Sequence, residues 1–451
     1  MNNFRFEKLA DITKRIKVGF VGPINDYYCS SDGGVPLIRT TDIEDLDFEK
    51  LKYVTQGFHK KNKKSQLRKG DLIIARHGDN GNAIVYDYDY EAQVLNAVII
   101  EPNQKIISSK LLKYYFDSPF IKKQIFGSIK GSVQGVINTK HISDLVLNIS
   151  NDINYLYVEK VLSDLDSKIE LNNRINRELE AMAKTLYDYW FVQFDFPNEQ
   201  GKPYKSSGGK MVYNKELKRE IPEGWEVKTI AKWIKNDKSG DWGKESEEGN
   251  YQLKVSCVRG ADLNGLNGNG ELKPPTRFIL ENNSNKLLEN HDLIVEISGG
   301  SPTQSTGRLA FITEETLQRF PNPLICSNFC KALTLKEEKY LYNFVYQWNR
   351  IYDNGVLFGW EGKTSGIKNL LFESFVTNHK EAYPKSEIVE KFYDFVKPIH
   401  SQKQKNLIQN QQLTALRDWL LPMLMNGQVT VKEAEEKLSM AAEPCVEYKK
   451  G

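Results

Sequence analysis

The hydrophobic pattern of residues 156–196 predicts one long amphipathic helix. Alternating steps of four and three residues from Val158 to Trp190 meet apolar side chains at eight of ten positions. This 3.5-residue period is typical of a helix that pairs with another helix. Pro197 predicts the end of the helix, because proline cannot continue a helix and disfavours helical geometry in the residue before it.

A second segment with the same period occupies residues 383–427, and in both segments the middle of the apolar seam turns polar. Buried amides at seam positions fix the register of paired helices at a cost in stability. Because two helices joined by a globular domain can lie antiparallel, we expect the polar centres to meet, and we expect Pro398 to kink the second helix. The predicted seam consists of Leu165, Ile169, Asn172, Asn176, Leu179, Ile399, Gln402, Asn406, Leu413 and Leu416.

Each long helix follows a segment of short strands and helices, and the two segments are related in sequence. Residues 37–43 (LIRTTDI) correspond to residues 257–263 (CVRGADL), and residues 71–74 (DLII) correspond to residues 292–295 (DLIV). Strand patterns in the first copy fall at 35–39, 72–75, 83–86, 94–100 and 145–149, and a helical pattern at 111–126. A repeat of this length indicates a duplicated domain.

The predicted fold class is therefore α+β: two similar mixed α/β domains separated by two long antiparallel coiled-coil helices. The predicted boundaries are 1–150 for the first domain, 151–196 for the central helix, 197–222 for a linker with a short hairpin around 210–212, 223–382 for the second domain, 383–427 for the second helix and 428–451 for a tail with a small helix at 432–438.

Composition narrows the class of protein. The chain has 451 residues, of which 40% are hydrophobic and 27% charged, so we expect a globular protein of two or three domains. No apolar run approaches the roughly 18 residues that a membrane span needs, and the N-terminus has no signal-peptide pattern. The five cysteines lack metal spacing. Free thiols and a cytoplasmic location without membrane association are the expectation.

The net charge of +3 conceals a local basic cluster. Residues 59–77 hold seven basic residues against one acidic residue. Such a patch suits a polyanion such as nucleic acid, and a solvated loop is the alternative interpretation.

Catalytic signatures are absent from the sequence. Residues 359–364 (GWEGKT) lack the first glycine of a phosphate-binding loop, the six histidines form no HExxH motif, and no adenine-methylase tetrapeptide of the NPPY kind occurs. A protein that is not an enzyme by itself is the expectation. One alternative function is a coiled-coil scaffold that binds only protein partners.

Two related domains joined through a pair of long helices suit a ligand with a regular repeat, and duplex DNA has grooves that repeat each turn. Base edges and phosphates are contacted by Arg, Lys, Asn and Gln side chains. The duplicated pair Arg39 and Arg259 is the strongest candidate, with a salt bridge to Asp42 or Asp262 as the alternative. The DNA-binding candidates are Arg39, Lys60, Lys61, Arg68, Arg76, His77, Asn80, Asn82, Lys130, Gln134, Arg259, Asn264, Asn267, Arg277, Arg308, Lys363 and Lys368.

Three stretches carry a resemblance to a known family. Residues 179–196 (LEAMAKTLYDYWFVQFDF), followed by IPEGW at 221–225, resemble the specificity subunit of type I restriction–modification systems. Residues 70–83 (GDLIIARHGDNGNA) and 131–147 (GSVQGVINTKHISDLVL) resemble parts of that family's target recognition domains. The resemblance covers essentially the whole chain.

The resemblance implies two target recognition domains, each of which reads one half of a bipartite, asymmetric site in double-stranded DNA, with the helices as spacers. It also implies a complex with two modification subunits, which carry adenine-N6 methylation, and with restriction subunits, which carry ATP-driven translocation and cleavage. S-adenosylmethionine, ATP and Mg are then expected on the partner subunits, with no cofactor or metal on this chain.

The aromatic end of the first helix exceeds what one partner helix needs. We expect this surplus to pack against the recognition domains or to dock the modification subunits. The residues concerned are Tyr187, Tyr189, Trp190, Phe191 and Phe194.

Overall fold

The computed structural model describes residues 4–43, 46, 48–77, 81–129, 135–301, 303–364 and 366–428. The chain divides into two compact units, the first formed by Met1–Ile169 with Gln412–Gly451 and the second by Glu170–Gln411. This division passes through both long helices, so each unit contains one sheet domain and one part of each helix. The predicted domain boundaries remain predictions, and the predicted tail helix at 432–438 lies outside the described residues.

Within its described residues, the first unit contains ten strands before its first long helix. They are β1 (Phe4–Lys8), β2 (Thr13–Val18), β3 (Tyr28–Cys29), β4 (Val35–Arg39), β5 (Lys52–Val54), β6 (Asp71–Ala75), β7 (Ala83–Tyr86), β8 (Gln93–Leu95), β9 (Ala97–Pro102) and β10 (Val146–Ser150). The helices are α1 (Gln56–Lys61), α2 (Ser109–Asp117), α3 (Pro119–Ile129), α4 (Thr139–Ser143) and the start of α5 (Tyr155–Tyr187).

Two four-stranded sheets, ordered β2-β9-β6-β7 and β3-β5-β4-β8, form the body of the first domain. Strand β6 is buried at all five residues, because its alternate side chains enter different cores: Leu72 and Ile74 face one, Ile73 and Ala75 the other. Strands β1 and β10 pair antiparallel, with Phe4 opposite Ser150. The chain therefore enters and leaves this domain on adjacent strands.

Two predicted elements of the first domain are each broken in two. The strand expected at 94–100 splits into β8 and β9 because Asn96 adopts a positive φ of 56°, a conformation that asparagine tolerates better than most residues. The helix expected at 111–126 splits at Ser118, whose hydroxyl accepts a hydrogen bond from the Ile121 amide at 3.4 Å. Pro119 then occupies the first position of α3, where proline is favoured.

The second unit repeats this inventory with additions. Its strands are β11 (Met211–Asn214), β12 (Arg219–Pro222), β13 (Glu226–Thr229), β14 (Ile234–Ser239), β15 (Tyr251–Val258), β16 (Thr276–Leu280), β17 (Leu293–Glu296), β18 (Ser298–Gly299), β19 (Leu309–Phe311), β20 (Leu324–Cys326), β21 (Cys330–Leu335), β22 (Glu361–Thr364), β23 (Ile367–Leu370) and β24 (Lys380–Tyr383). Its helices are α6 (Leu263–Leu266), α7 (Glu314–Gln318), α8 (Leu341–Asp353), α9 (Phe372–Asn378) and α10 (Ser386–Met425).

The sheet topology confirms the duplication. The order β14-β21-β17-β19 repeats β2-β9-β6-β7, the parallel pair β15 and β20 repeats β4 and β8, and the closing pair β13 and β24 repeats β1 and β10. The repeated aspartates also close equivalent turns. Asp71 accepts the Arg68 amide and Asp292 accepts the Glu289 amide, each at 2.9 Å. The predicted α+β class with two similar domains is confirmed.

The first long helix ends earlier than predicted. It finishes in a π-helical turn, Asp188–Val192, and Phe194 takes a positive φ of 65°. Asp195 stabilises this reversal, since its carboxylate accepts the amide and the hydroxyl of Ser206 at 2.7 and 2.6 Å. The predicted linker contains the hairpin of β11 and β12.

Most of the aromatic surplus of the first helix belongs to the core of the second unit. Of the two alternatives expected for it, packing against a recognition domain is the one observed for these buried rings, which leaves them unavailable as a subunit-docking surface. Tyr187, Trp190, Phe191 and Phe194 are at most 6% exposed. Their rings pack on Phe392 and Trp225 inside this core. The ring centroids of Phe191 and Phe392, for example, lie 5.0 Å apart. Tyr189 is 38% exposed, and its docking role remains a prediction.

In the first unit the helix seam is apolar. Val158, Leu162 and Leu165 of α5 are buried in one core with Leu413, Leu420 and Leu421 of α10, and the partly buried Ile169 and Leu416 pack against that core.

In the second unit the seam contains side-chain amides that form hydrogen bonds between the two helices. Asn172 donates to Gln409 Oε1 at 2.8 Å, and Asn406 donates to Asn176 Oδ1 at 2.8 Å. Gln402 donates to Asn406, while Leu179 and Ile399 are partly buried. Later residues of α5 pair with earlier residues of α10, so the two helices are antiparallel in this unit. Helix α10 is assigned without a break through Pro398, so the predicted kink remains untested.

Lowering the pH from about 6.5 to 4.5 is expected to destabilise the chain through His400. Its ring is 1% exposed and stacks on Tyr342 at 4.7 Å. Burial lowers its pKa from 6.5 to about 4. In this pH range the unfolded chain binds a proton that the folded chain excludes, so stability falls by up to about 1.4 kcal/mol per pH unit.

Urea unfolding of the full chain at several pH values measures this effect. His400→Gln is expected to flatten the dependence between pH 6.5 and 4.5, leaving the smaller contribution of His291, whose pKa burial also lowers. An unchanged slope in the variant would contradict the assignment to His400.

Candidate nucleic-acid interface

The basic cluster of the first domain is built on α1 and the 3₁₀ turn Lys63–Ser65 that follows it. The helix begins where it does because the Thr55 hydroxyl accepts the Phe58 amide at 3.3 Å. Phe58 is buried, with its ring 4.9 Å from that of Phe20. His59 is buried beside Gln93, at 3.1 Å between Nδ1 and Nε2. One side of the segment is therefore fixed to the domain.

The opposite side of the segment carries four exposed lysines, Lys60, Lys61, Lys63 and Lys64. We call this set the lysine face. Among the residues that the structure describes, no acidic side chain forms an ion pair with any of the four. Unpaired ammonium groups on a rigid support are suited to phosphate contacts, which displace counterions from a nucleic acid.

Of the other candidates in the first domain, Arg68 and Arg76 already have partners within the domain. Arg68 is exposed but lies 3.4 Å from Glu101. Arg76 donates to the Ile137 carbonyl at 2.9 Å and to Asn96 Oδ1 at 3.1 Å, and burial lowers the pKa of its guanidinium. His77 is exposed and Asn82 is partly buried. Asn80, Lys130 and Gln134 lie outside the described residues.

Arg39 and Arg259 occupy equivalent positions and make equivalent ion pairs. Each guanidinium holds its aspartate with two hydrogen bonds: Arg39 at 2.9 and 2.7 Å from Asp42, Arg259 at 2.8 and 3.0 Å from Asp262. The hydrogen bond that each guanidinium donates to its aspartate raises the pKa of that arginine. The structural alternative considered for this pair is thus observed, and a DNA contact by either arginine remains a prediction.

The candidates of the second domain are largely engaged within that domain. Arg277 is 8% exposed, lies 4.0 Å from the Trp242 ring centroid and pairs with Glu245 at 3.0 Å. Arg308 holds Glu296 with hydrogen bonds of 2.9 and 2.6 Å.

Two further candidates of the second domain are bound within that domain. Lys368 lies 3.4 Å from Glu361 and donates to the Gln304 carbonyl at 3.2 Å. Asn267 donates to the Leu309 carbonyl at 2.9 Å. Asn264 is exposed, and the side chain of Lys363 lies outside the described part of the chain.

The two domains therefore differ in charge at equivalent places. In the second domain, the segment between β16 and β17 that corresponds to α1 is a 3₁₀ helix, Glu281–Lys286, with one acid and one base. The lysine face has no counterpart there. Lys63 and Lys64 belong to this face although the candidate residues from the sequence included only Lys60 and Lys61; their place in the run KKNKK was the available signal.

The described side chains include no cluster of three or more His, Cys, Asp or Glu groups suited to hold a metal ion. None of the helices in the described part of the chain combines the length and apolar character that crossing a bilayer requires.

The chain is similar to proteins of one family. The model of the type I restriction modification DNA specificity domain matches residues 23–181. The type I restriction enzyme MjaIX specificity subunit of Methanocaldococcus jannaschii is 24% identical over 415 residues, covering 89% of this chain and 88% of the relative. The HindI specificity subunit of Haemophilus influenzae is 24% identical over 424 residues, covering 81% and 88%.

Solved structures with distant similarity include the S subunit of a type I restriction–modification system from M. genitalium, at 14% identity and a TM-score of 0.46, covering 94% of this chain and 96% of that one. The HsdS subunit from Thermoanaerobacter tengcongensis has 14% identity and a TM-score of 0.33, covering 94% and 97%. The DNA specificity domain model matches the first part of the chain, and the two relatives align along most of it. The chain is therefore similar over most of its length to type I restriction enzyme specificity subunits.

Proposed function

We propose that this chain is the DNA sequence-specificity subunit of a type I restriction–modification complex. Each target recognition domain reads one half of a bipartite, asymmetric DNA site, and the two long helices act as spacers. The observation that carries the proposal is the lysine face on one member of a duplicated domain pair. The duplication provides two domains that can each recognise one half-site. The unpaired lysines provide affinity for the phosphate backbone of DNA.

The chemistry belongs to partner subunits in this proposal. Two modification subunits bring S-adenosylmethionine and transfer its methyl group to adenine N6, while restriction subunits bring ATP and Mg for translocation and cleavage. The chain directs these activities to its site. The alternative function, a scaffold that binds only proteins, does not account for the lysine face.

Mapping of methylated adenines tests the proposal. The chain is co-expressed with its modification subunits, and DNA from these cells is sequenced for N6-methyladenine. The expected result is methylation at one bipartite motif, which disappears when this chain is omitted. Methyl transfer by the purified chain alone, or motif methylation in its absence, would contradict the proposed role.

A further inference from the structure

In the first unit, a buried tyrosine joins the recognition domain to both long helices. Tyr114 on α2 is 3% exposed. Its hydroxyl donates to Asp166 Oδ2 on α5 at 2.7 Å. The other oxygen of the same carboxylate accepts a hydrogen bond from Arg417 on α10 at 2.9 Å. One carboxylate therefore connects three separate helices.

The second unit contains the same arrangement. Tyr346 on α8 is 4% exposed and donates to Glu180 Oε1 on α5 at 3.1 Å. Lys403 on α10 donates to Glu180 Oε2 at 2.7 Å. Burial alone would raise the pKa of Glu180, but the charge of Lys403 holds it below its ordinary value. The carboxylate is therefore ionised and can accept both bonds.

The two tyrosines are equivalent in the duplicated domain. Helix α2 follows β9, and α8 follows the equivalent strand β21. Tyr114 and Tyr346 are separated by the same number of residues as Asn96, which lies between β8 and β9, and Asn328, which lies between the equivalent strands β20 and β21. In both units α5 supplies the acid and α10 supplies the base. We call each set a tyrosine clamp.

Burial of apolar area alone does not account for a clamp. Taking an ion pair out of water is costly, and well-packed apolar residues often stabilise a protein as much or more. Hydrogen bonds to a charged group are directional, however, and they select one orientation among many apolar packings of similar energy. The clamp is thus suited to fixing orientation.

We propose that Tyr114 and Tyr346 are positioning residues that fix the orientation of each recognition domain on its helix segments and so restrict the spacer length between the two half-sites. This inference rests on the proposed function. The tyrosines contact no base in this account; they act through the domain that each one holds.

Further hydrogen bonds accompany each clamp. In the first unit the Ser108 hydroxyl, at the start of α2, donates to Glu159 of α5. In the second unit the Tyr346 hydroxyl also lies 3.0 Å from His400 Nε2, and Ser401 donates to Glu315 at 2.6 Å. Each domain is thus held at more than one point, so loss of a single hydroxyl should loosen the orientation without releasing the domain.

The test measures methylation by the complex with modification subunits, on duplexes that carry the mapped half-sites with the native spacer or a spacer one base pair longer or shorter. Tyr114→Phe and Tyr346→Phe are each expected to raise the ratio of altered-spacer to native-spacer methylation about tenfold, as loss of a hydrogen bond to a charged group allows.

Matched controls are Tyr86→Phe and Tyr352→Phe. Each removes a tyrosine hydroxyl that donates to a carbonyl within one recognition domain, to Tyr90 at 2.6 Å or to Ser305 at 3.2 Å. The controls are expected to lower the thermal midpoint as much as the clamp variants while leaving the spacer ratio unchanged.

Three outcomes overturn the inference or separate it from the function. An unchanged spacer ratio in both clamp variants, with native-spacer methylation intact in the parent complex, overturns the clamp but not the proposed function. If the spacer ratio rises equally in the control variants, the effect is one of general destabilisation, and the inference about the clamp is also overturned. If the parent complex methylates no bipartite site, both proposals fail.

Discussion

Replacing Lys60, Lys61, Lys63 and Lys64 together with glutamine is expected to weaken DNA binding by the assembled complex about 10- to 100-fold at low salt. The four ammonium groups are exposed, and no described acidic side chain pairs with them. Their charges are therefore available for phosphates. Glutamine keeps the helix propensity of lysine, so α1 should remain folded.

The salt dependence of binding is the sharper measurement. Each phosphate contact contributes about 0.9 to the slope of log affinity against log salt, so the quadruple variant should lose a slope of up to about 4. The preference for the mapped site over an unrelated duplex should remain almost unchanged, because phosphate contacts position a protein without reading sequence.

A variant of equal net charge controls for the loss of positive charge. Lys202, Lys205, Lys215 and Lys218 are also exposed and lie outside the predicted interface. Their replacement by glutamine is expected to leave both the affinity and the slope near those of the parent complex. If the two quadruple variants behave alike, the lysine face is not a DNA contact.

Much of this architecture follows from the sequence, because duplication and periodicity are local properties of a chain. The seam of α5 was predictable from its 3.5-residue period. The equivalent strands β6 and β17 were predictable because DLII and DLIV recur in the same context. Asn172 and Asn176 stood out as amides in an apolar seam, and the structure pairs them with amides of α10.

Other features depend on contacts that no local pattern contains. The end of α5 was predicted from Pro197, yet the reversal occurs at Phe194, where Ser206 binds Asp195. For the aromatic residues after Leu186 the sequence left two alternatives open, packing on a recognition domain or docking a subunit, because their partners, Phe392 and Trp225, are far away in sequence.

Some residues of the candidate interface can be recognised from the sequence, whereas the contacts of others appear only in the folded structure. The run KKNKK marks the lysine face directly. Arg277 and Arg308 look identical to DNA-binding arginines in a sequence, and their partners Trp242 and Glu296 emerge only once the sheets are assembled. The clamp tyrosines could have been found from the repeat offset, but their importance lies in Asp166 and Glu180, which are outside the repeated domain.

Exchange of a single recognition domain is expected to change one half of the target completely and to leave the other half unaltered. The structure identifies suitable junctions. Strands β1 and β10 lie side by side with Phe4 opposite Ser150, and β13 and β24 do the same with Glu226 opposite Tyr383. Residues 4–150 or 226–383 can therefore be replaced without moving the points where the chain continues.

The donor domain for 4–150 should retain the hydroxyls that bind α5, at the positions of Ser108 and Tyr114, so that the clamp with Asp166 is preserved. A specificity subunit of known target is the natural donor. Mapping N6-methyladenine in cells that express the hybrid with the modification subunits gives the new motif. The donor's half-site should replace one half, while the second half-site and the spacer length are kept.

The reciprocal exchange of 226–383 is the matched experiment, and it should alter the half-site that the first exchange preserves. A hybrid in which both half-sites change at once would show that the domains do not read independently. A hybrid that keeps both original half-sites would show that recognition resides outside the exchanged strands. A changed spacer with correct half-sites would instead indicate that the donor domain is held differently on the helices.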